Sequence, residues 1–400
     1  VDLPYPPARR EDLARTRLHG DPDMPSWIFL SSPDLTPAEE SYLLAAFRSG
    51  RFDPQGPEVS AFEHEVAQRV GVGHAVAVSS GTAALHLALL TAGAGPGSAV
   101  VVPTLTFAAT ANAVMYTGAQ PVFVDCEPSA GNIDVQLLPG LLDTLRADGQ
   151  RVAAVMTVDI NGSCADYDRL LPICHEAGIP VVEDSAQALG STRQGHAAGT
   201  FGLIGTYSFS HNKIMTTSSG GMLVTDDPVL AARCRHLSSQ AREPVTHYEH
   251  RDVGYNYRLS PLLAGLGRAQ LRRLDGMIER RRALRERYAK LFAAVPGTRI
   301  LGDGDPGSNC WLTSLVVERN VAGWSVEQLA SHLAAHRIES RPMWKPMHRQ
   351  PVYAGCPAAV SGAADRLFAS SISLPSGSAI TDLLADRLFG TIEQFLQEHG

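Results

Sequence analysis

Short apolar runs alternate with longer amphipathic stretches from about residue 30 to residue 230. The runs Ala75–Val78, Ala99–Val102, Gln120–Val124, Val152–Thr157 and Pro180–Val182 are rich in valine and bounded by turn formers. Continuous apolar runs of this kind predict strands covered on both faces. Between them, apolar residues recur at helical spacing over Pro37–Ser49, Ala83–Ala92, Thr110–Tyr116 and Tyr167–Ala177. The first of these predicts a helix with Thr36 as N-cap and Gly50 as its stop. Strands alternating with helices imply βαβ units and an α/β fold on a mainly parallel sheet.

The pattern then changes. Thr206–Phe209 and Met222–Thr225 predict two strands around a turn rich in serine and glycine. Leu262–Val295 is one long, arginine-rich helical pattern without proline. After Pro296 the chain restarts with a predicted strand, Trp311–Val317, and two helices, Ser325–His336 and Asp382–Gln397. A chain of 400 residues exceeds the usual single domain of roughly 100–200 residues. The expected organisation is an N-terminal extension (residues 1–28), a large domain (29–270), and a linking helix with a small C-terminal α+β domain (271–400).

Composition narrows the function classes. Hydrophobic residues make up 44% of the chain, enough for a sizeable core, and charged residues only 19%, which suits surface buried in an oligomer. The net charge of -7, without a basic patch, argues against nucleic acid and anionic membrane as partners. Six cysteines without a CxxC pair argue against a disulfide scaffold or a zinc site, and for reduced thiols in a cytoplasmic protein. The N-terminal residues carry arginines but no apolar core of a signal peptide, and no apolar run is long enough to predict a membrane span.

Four places carry candidate chemistry. Ser79-Ser80-Gly81-Thr82-Ala83 lies between a predicted strand and helix, where free N–H groups suit a phosphate; such turns are also ordinary connectors. Val181-Val182-Glu183-Asp184 ends a strand, and ligands of open α/β sheets bind at strand carboxyl ends. A buried Asp184 could keep a pyridine nitrogen protonated, or simply cap a helix. Lys213, in Ser208-Phe-Ser-His-Asn-Lys213, is the sole lysine before residue 290. Its hydroxyl and glycine neighbours suit an amine that forms a Schiff base, although a lone lysine is more often on the surface. Asn256 and Arg258, two apart in Gly254-Tyr-Asn-Tyr-Arg258, could both reach an anion or belong to a solvated turn.

Taken together, SSGTAALHLAL, PTLTFAATANAV, VVEDSAQALGS, YSFSHNKIMTTSSGGMLVT and GYNYRLS resemble the motifs of the DegT/DnrJ/StrS family of sugar aminotransferases. The resemblance runs from about Phe29 to the C-terminus. It is strongest with the group that aminates nucleotide-linked 4-keto-6-deoxy sugars at C4, through SSQAREPVTHYEHRDVGYNYRLS and IESRPMWKPMHRQPVY.

The resemblance implies the fold-type I architecture of pyridoxal 5′-phosphate (PLP) enzymes, with a seven-stranded sheet in the large domain. It implies Lys213 as Schiff-base lysine and proton carrier, Asp184 against the pyridinium nitrogen, and Gln187 near the phenolic oxygen. Phe107 would stack on the ring; Gly81, Thr82, Ala83 and Ser208 would hold the phosphate. Asn256 and Arg258 would reach the cofactor of a second subunit in a homodimer. Arg341, Lys345 and His348 would border the substrate. The partners implied are an amino-acid donor, with L-glutamate first, and a ketosugar acceptor; the other cofactor form is pyridoxamine phosphate. No metal is implied. Dehydratases of the same fold carry histidine at the lysine position, so Lys213 argues against them. A keto-cyclitol or other natural-product ketone as acceptor, and a non-catalytic PLP-binding protein, stay open. Departures from relatives at Ser31–Pro37, Asp53–Pro57, Asp159–Gly162 and Ser210–His211 fall where the family faces its substrate.

Overall fold

The computed structural model describes residues 26–54 and 56–399. Residues 1–25 of the expected extension lie outside the described residues.

The predicted alternation folds into one large sheet. Its strands are β1 (His74–Val78), β2 (Ser98–Pro103), β3 (Gln120–Val124), β4 (Arg151–Val158), β5 (Val181–Asp184), β6 (Ile204–Ser208) and β7 (Gly221–Thr225). They lie in the order β1-β7-β6-β5-β4-β2-β3, and a two-residue strand, Ala358–Ala359, adds an eighth at the β3 edge. Within the seven, β7 alone runs antiparallel to its neighbours. The expected seven strands are therefore present, and the eighth comes from the C-terminal part of the chain. It is too short to leave a periodic signal in sequence.

Both faces of the sheet are covered. One carries helices Gly81–Thr91, Ala108–Tyr116 and Pro228–Ser238, packed on Val76, Val100 and Met156. On the other, helices Leu138–Ala147 and Tyr167–Glu176 pack on Val101, Val122 and Val155. Every residue of β2 is buried, which explains its unbroken apolar sequence.

Two features differ from the sequence reading. The long pattern Leu262–Val295 is two helices, Pro261–Arg272 and Leu274–Ala293, separated at Arg273 (φ -101°, ψ -1°). Arg273 spends its guanidinium on Asp34 and Glu39, so the first helix docks against Pro37–Arg48 and the second runs to the small lobe. No glycine or proline marks the break. Pro57–Val70 and Pro228–Ser238 are further helices, each opened by the proline at its first turn.

The small lobe is an antiparallel sheet of Thr298–Ile300, Thr313–Val317, Ser371–Leu374 and Arg341–Pro342. Helices Val326–Ala335 and Asp382–His399 cover it around Trp324, Leu315 and Phe395. Ile28 is buried in this core and donates its N–H to Arg337 O. The strand begins at Thr313 rather than Trp311, because Cys310 has a positive φ of 55° and the Trp311 N–H turns back to Asn309 Oδ1. Among the described residues no helix is long and apolar enough to cross a membrane.

Candidate active site

The register of the sheet brings three candidate segments to one edge. Val78 of β1 faces Gly221 of β7, which faces Ser208 of β6, while Asp184 of β5 faces Thr206. The chain ends of β1, β5 and β6 thus open at the carboxyl edge of the parallel strands, where such sheets bind ligands.

After β1, Ser80 caps helix Gly81–Thr91 by accepting a hydrogen bond from the Ala83 N–H at 3.0 Å. The first N–H groups of a helix lack partners within it. Close packing forms the floor beneath them. A Cβ on Gly81 would lie 2.8 Å from Ser208 Cβ, and one on Gly221 only 2.4 Å from Ser80 O. Any larger residue at either position would displace the turn or Ser208. Thr82 is half-buried and Ala83 buried.

Asp184 is almost wholly buried. Its Oδ2 accepts from Thr110 Oγ1 at 2.7 Å and its Oδ1 from the Ala186 N–H at 3.2 Å. Burial pushes its pKa up, while the bond from Thr110 and the charge of Lys213 oppose that shift. Thr110 also meets Thr106 at 2.7 Å. Phe107 stands at the head of the same helix and is 57% exposed, open to whatever occupies the strand ends.

Lys213 lies in the loop between β6 and β7. Burial lowers its amine from the ordinary 10.5 to about 8, with the Asp184 carboxylate opposing. Its Nζ sits 4.4 Å from the centroid of the Trp311 ring. The Trp311 indole N–H donates to Asn212 O at 2.8 Å, and its ring stacks on Trp344 at 6.4 Å with 9° between planes. Gln187 is buried near the same strand end, where its Oε1 accepts from the Asn161 N–H at 2.8 Å.

A second layer of carboxylates stands behind Asp184. Asp159, fully buried, accepts from the Ser185 hydroxyl (2.6 Å), the Tyr167 hydroxyl (2.9 Å) and the Ala165 N–H (2.9 Å). It braces the residue after Asp184 rather than facing a substrate. Glu183, also fully buried, accepts from the Gly199 and Gly202 N–H groups. Burial raises both pKa values, with the charge of Asp184 adding to the shift of Asp159 and that of Asp159 to the shift of Glu183.

The remaining candidates are less concentrated. Asn256 is exposed. Arg258 bridges Val78, and its Nη2 donates to Glu63 Oε1 at 2.9 Å; its Nη1 is buried without a partner among the described residues. Arg341 pairs with Glu339 at 2.9 Å and Lys345 is exposed. His348 is engaged on both sides, by Thr104 Oγ1 at 2.7 Å from Nδ1 and by Asp365 at 3.4 Å from Nε2. The 341–348 segment touches the Lys213 neighbourhood through Trp344.

Sequence reasoning passed over Thr110, Trp311 and Trp344 as contributors to the site. Thr110 carried a signal, one helical turn beyond Phe107. Trp311 had none, because its partner Lys213 is distant in sequence. Among the described residues no cluster of three or more His, Cys, Asp or Glu is placed to hold a metal ion.

These groups fit pyridoxal phosphate. The glycine-floored helix start suits a phosphate, the buried carboxylate a pyridinium, and the lowered amine an aldehyde.

Residues 33–393 match the DegT/DnrJ/EryC1/StrS aminotransferase family. The chain belongs to this family. EpsN of Bacillus subtilis (strain 168), named as a pyridoxal phosphate-dependent aminotransferase, is 42% identical over 89% of this chain and 92% of its own. The dTDP-4-dehydro-2,3,6-trideoxy-D-glucose 4-aminotransferase of Saccharopolyspora spinosa is 34% identical over 74% of this chain and 79% of its own. The PLP form of the sugar aminotransferase Spr1654 from Streptococcus pneumoniae superposes with a TM-score of 0.83 at 26% identity, covering 93% of this chain and 99% of that one. A pyridoxamine-phosphate form of Spr1654 superposes equally well, with a TM-score of 0.83. The α/β architecture is that of these PLP enzymes, and this DegT-family chain is a PLP-dependent aminotransferase.

Proposed function

We propose that this aminotransferase moves the amino group of L-glutamate to a nucleotide-linked 4-keto-6-deoxyhexose, with Lys213 as the residue that bonds the cofactor. The observation that carries the reading is the convergence of a half-buried amine, a buried carboxylate and a glycine-floored helix start on one sheet edge. Bound pyridoxal phosphate supplies an exchangeable aldehyde and an electron sink.

The chain supplies the rest. The first N–H groups of helix Gly81–Thr91 and the Ser208 hydroxyl would hold the phosphate. Asp184 would pair with a protonated ring nitrogen, with the Thr110 hydroxyl fixing the direction of its carboxylate. Phe107, at the head of helix Ala108–Tyr116, would shield the ring from water. Lys213 would be the residue that holds the cofactor aldehyde, and its Nζ the base that takes the donor's Cα proton. An amine near 8 is well matched to that task at neutral pH.

The nucleotide sugar is supported by the activity for which the Saccharopolyspora relative is named and by Arg341 and Lys345 flanking Trp344. Lys345→Ala is expected to weaken the ketosugar half-reaction by roughly tenfold, with salt reducing the difference, because an exposed charge pair is screened. The glutamate half-reaction should change less than about threefold. Single-turnover kinetics of each half measure this. Equal losses in both halves would remove Lys345 from the substrate site. Reoxidation of the pyridoxamine form by a free cyclitol or another ketone, and by no nucleotide ketosugar, would overturn the acceptor.

A homodimer with shared sites belongs to the same reading. Phe47 and Phe52 are 61% and 51% exposed and pack on each other, and Asn256, two residues before Arg258, is exposed. The enzyme is expected to sediment as a dimer or larger, with an interface above about 2,000 Å². A stable, fully active monomer in sedimentation would contradict it.

A further inference from the structure

We infer that Trp311, backed by Trp344, is the seat of the Lys213 ammonium whenever the lysine is not bonded to the cofactor. This rests on the reading of Lys213 as the cofactor-bonding residue. The geometry is specific on three counts. The Lys213 Nζ lies 4.4 Å from the Trp311 ring centroid, within the range of an ammonium held on an aromatic face. The Trp311 ring cannot drift, because its indole N–H is bonded to Asn212 O, one residue before Lys213, and Trp311 is only 3% exposed. Its other support is Trp344, stacked nearly parallel with a 9° interplanar angle.

Chemistry requires such a seat. During transfer Lys213 must leave the cofactor, hold a proton and return without wandering into the space the substrate occupies. In a half-buried site a partly desolvated ammonium needs a partner. Among the described residues Asp184 is the one charged group acting on Lys213, and on the proposed reading it is taken by the cofactor ring nitrogen. His211, in the same loop, is exposed and faces Ser210. The indole face is thus the attractive surface left for the displaced amine. Trp344 also belongs to the segment carrying Arg341 and Lys345, so what that segment binds can alter the backing of the seat.

The sequence makes the test direct, since the chain holds three lysines, at 213, 290 and 345. Enzyme loaded with pyridoxamine phosphate and carrying 13C-labelled lysine gives few side-chain signals, assigned by Lys290→Arg and Lys345→Arg. The Lys213 Hε/Cε signal should be shifted upfield by the indole ring current in the wild type. In Trp311→Leu the upfield shift should vanish and the titration midpoint should fall by about 0.5–1 pH unit, the worth of a partly desolvated cation–aromatic contact. Trp311→Phe should restore most of both, and Trp344→Leu should lie between. A wild-type signal without an upfield shift would overturn the seat, and needs no variant to fold. A midpoint unchanged in folded Trp311→Leu, or Trp311→Phe behaving like Trp311→Leu, would overturn it too. The underlying reading is tested apart: Lys213→Ala retaining the covalent cofactor absorbance would remove Lys213 from that role, whatever the tryptophan variants do.

Discussion

Lys213→Ala is expected to abolish the covalent cofactor absorbance and to lower transamination by roughly four to six orders of magnitude. A residue that bonds the cofactor and also carries the proton removes two contributions at once, and such losses are large. The variant should still bind PLP, because the helix start at Gly81, Ser208 and Asp184 are untouched. Its stability has a definite sign. The amine is near 8 in the folded chain against an ordinary 10.5, so the folded protein resists a proton that the unfolded chain takes. That penalty is full below about pH 8 and fades as pH rises toward 10.5. Lys213→Ala should therefore melt higher than wild type at pH 7, with the gain gone above about pH 10.5. Covalent capture of PLP by the apo wild type should speed up about tenfold per pH unit below the amine's midpoint and level off above it. Near-normal turnover by the variant would sink the assignment.

The main sheet was legible because its strands are buried on both faces and short. Runs such as Ala99–Val102 admit few other readings, and Thr36 and Gly50 frame their helix by local chemistry alone. The break at Arg273 was not legible: it is made by Asp34 and Glu39, more than two hundred residues away, and nothing local to Leu262–Val295 announces it. The site divides in the same way. Lys213, Asp184 and the Gly81 turn lie in segments whose sequence patterns are distinctive, and the register of β1, β7, β6 and β5 collects them. Trp311 and Thr110 act through contacts across the chain, and a tryptophan before an apolar run reads as the start of a strand. His348, which the resemblance put at the substrate border, has both ring nitrogens engaged by Thr104 and Asp365, contacts that its local sequence does not announce.

Asp184→Asn is expected to lower turnover by about two to four orders of magnitude, because unpairing a buried charge costs about 3–5 kcal/mol. The substitution is nearly isosteric and stays at the end of β5, so the fold should survive. What changes is the charge presented to the cofactor ring. Burial works against ionisation of Asp184, and the Thr110 hydrogen bond and the charge of Lys213 oppose that shift. With asparagine, the amine at 213 loses its charged partner and its midpoint should move further below about 8. On the proposed reading Asp184 serves the cofactor and not one substrate, so both half-reactions should fall together, unlike the split expected for Lys345→Ala. Affinity for pyridoxal phosphate should fall as well, read by equilibrium dialysis independently of turnover. Thr110→Val is the graded control: it keeps the carboxylate and removes one hydrogen bond of 2.7 Å, so a loss of only about tenfold is expected. If Thr110→Val proved as damaging as Asp184→Asn, the orientation of the carboxylate rather than its charge would be the requirement. If Asp184→Asn kept wild-type turnover and affinity, the buried carboxylate would have no part in holding the ring.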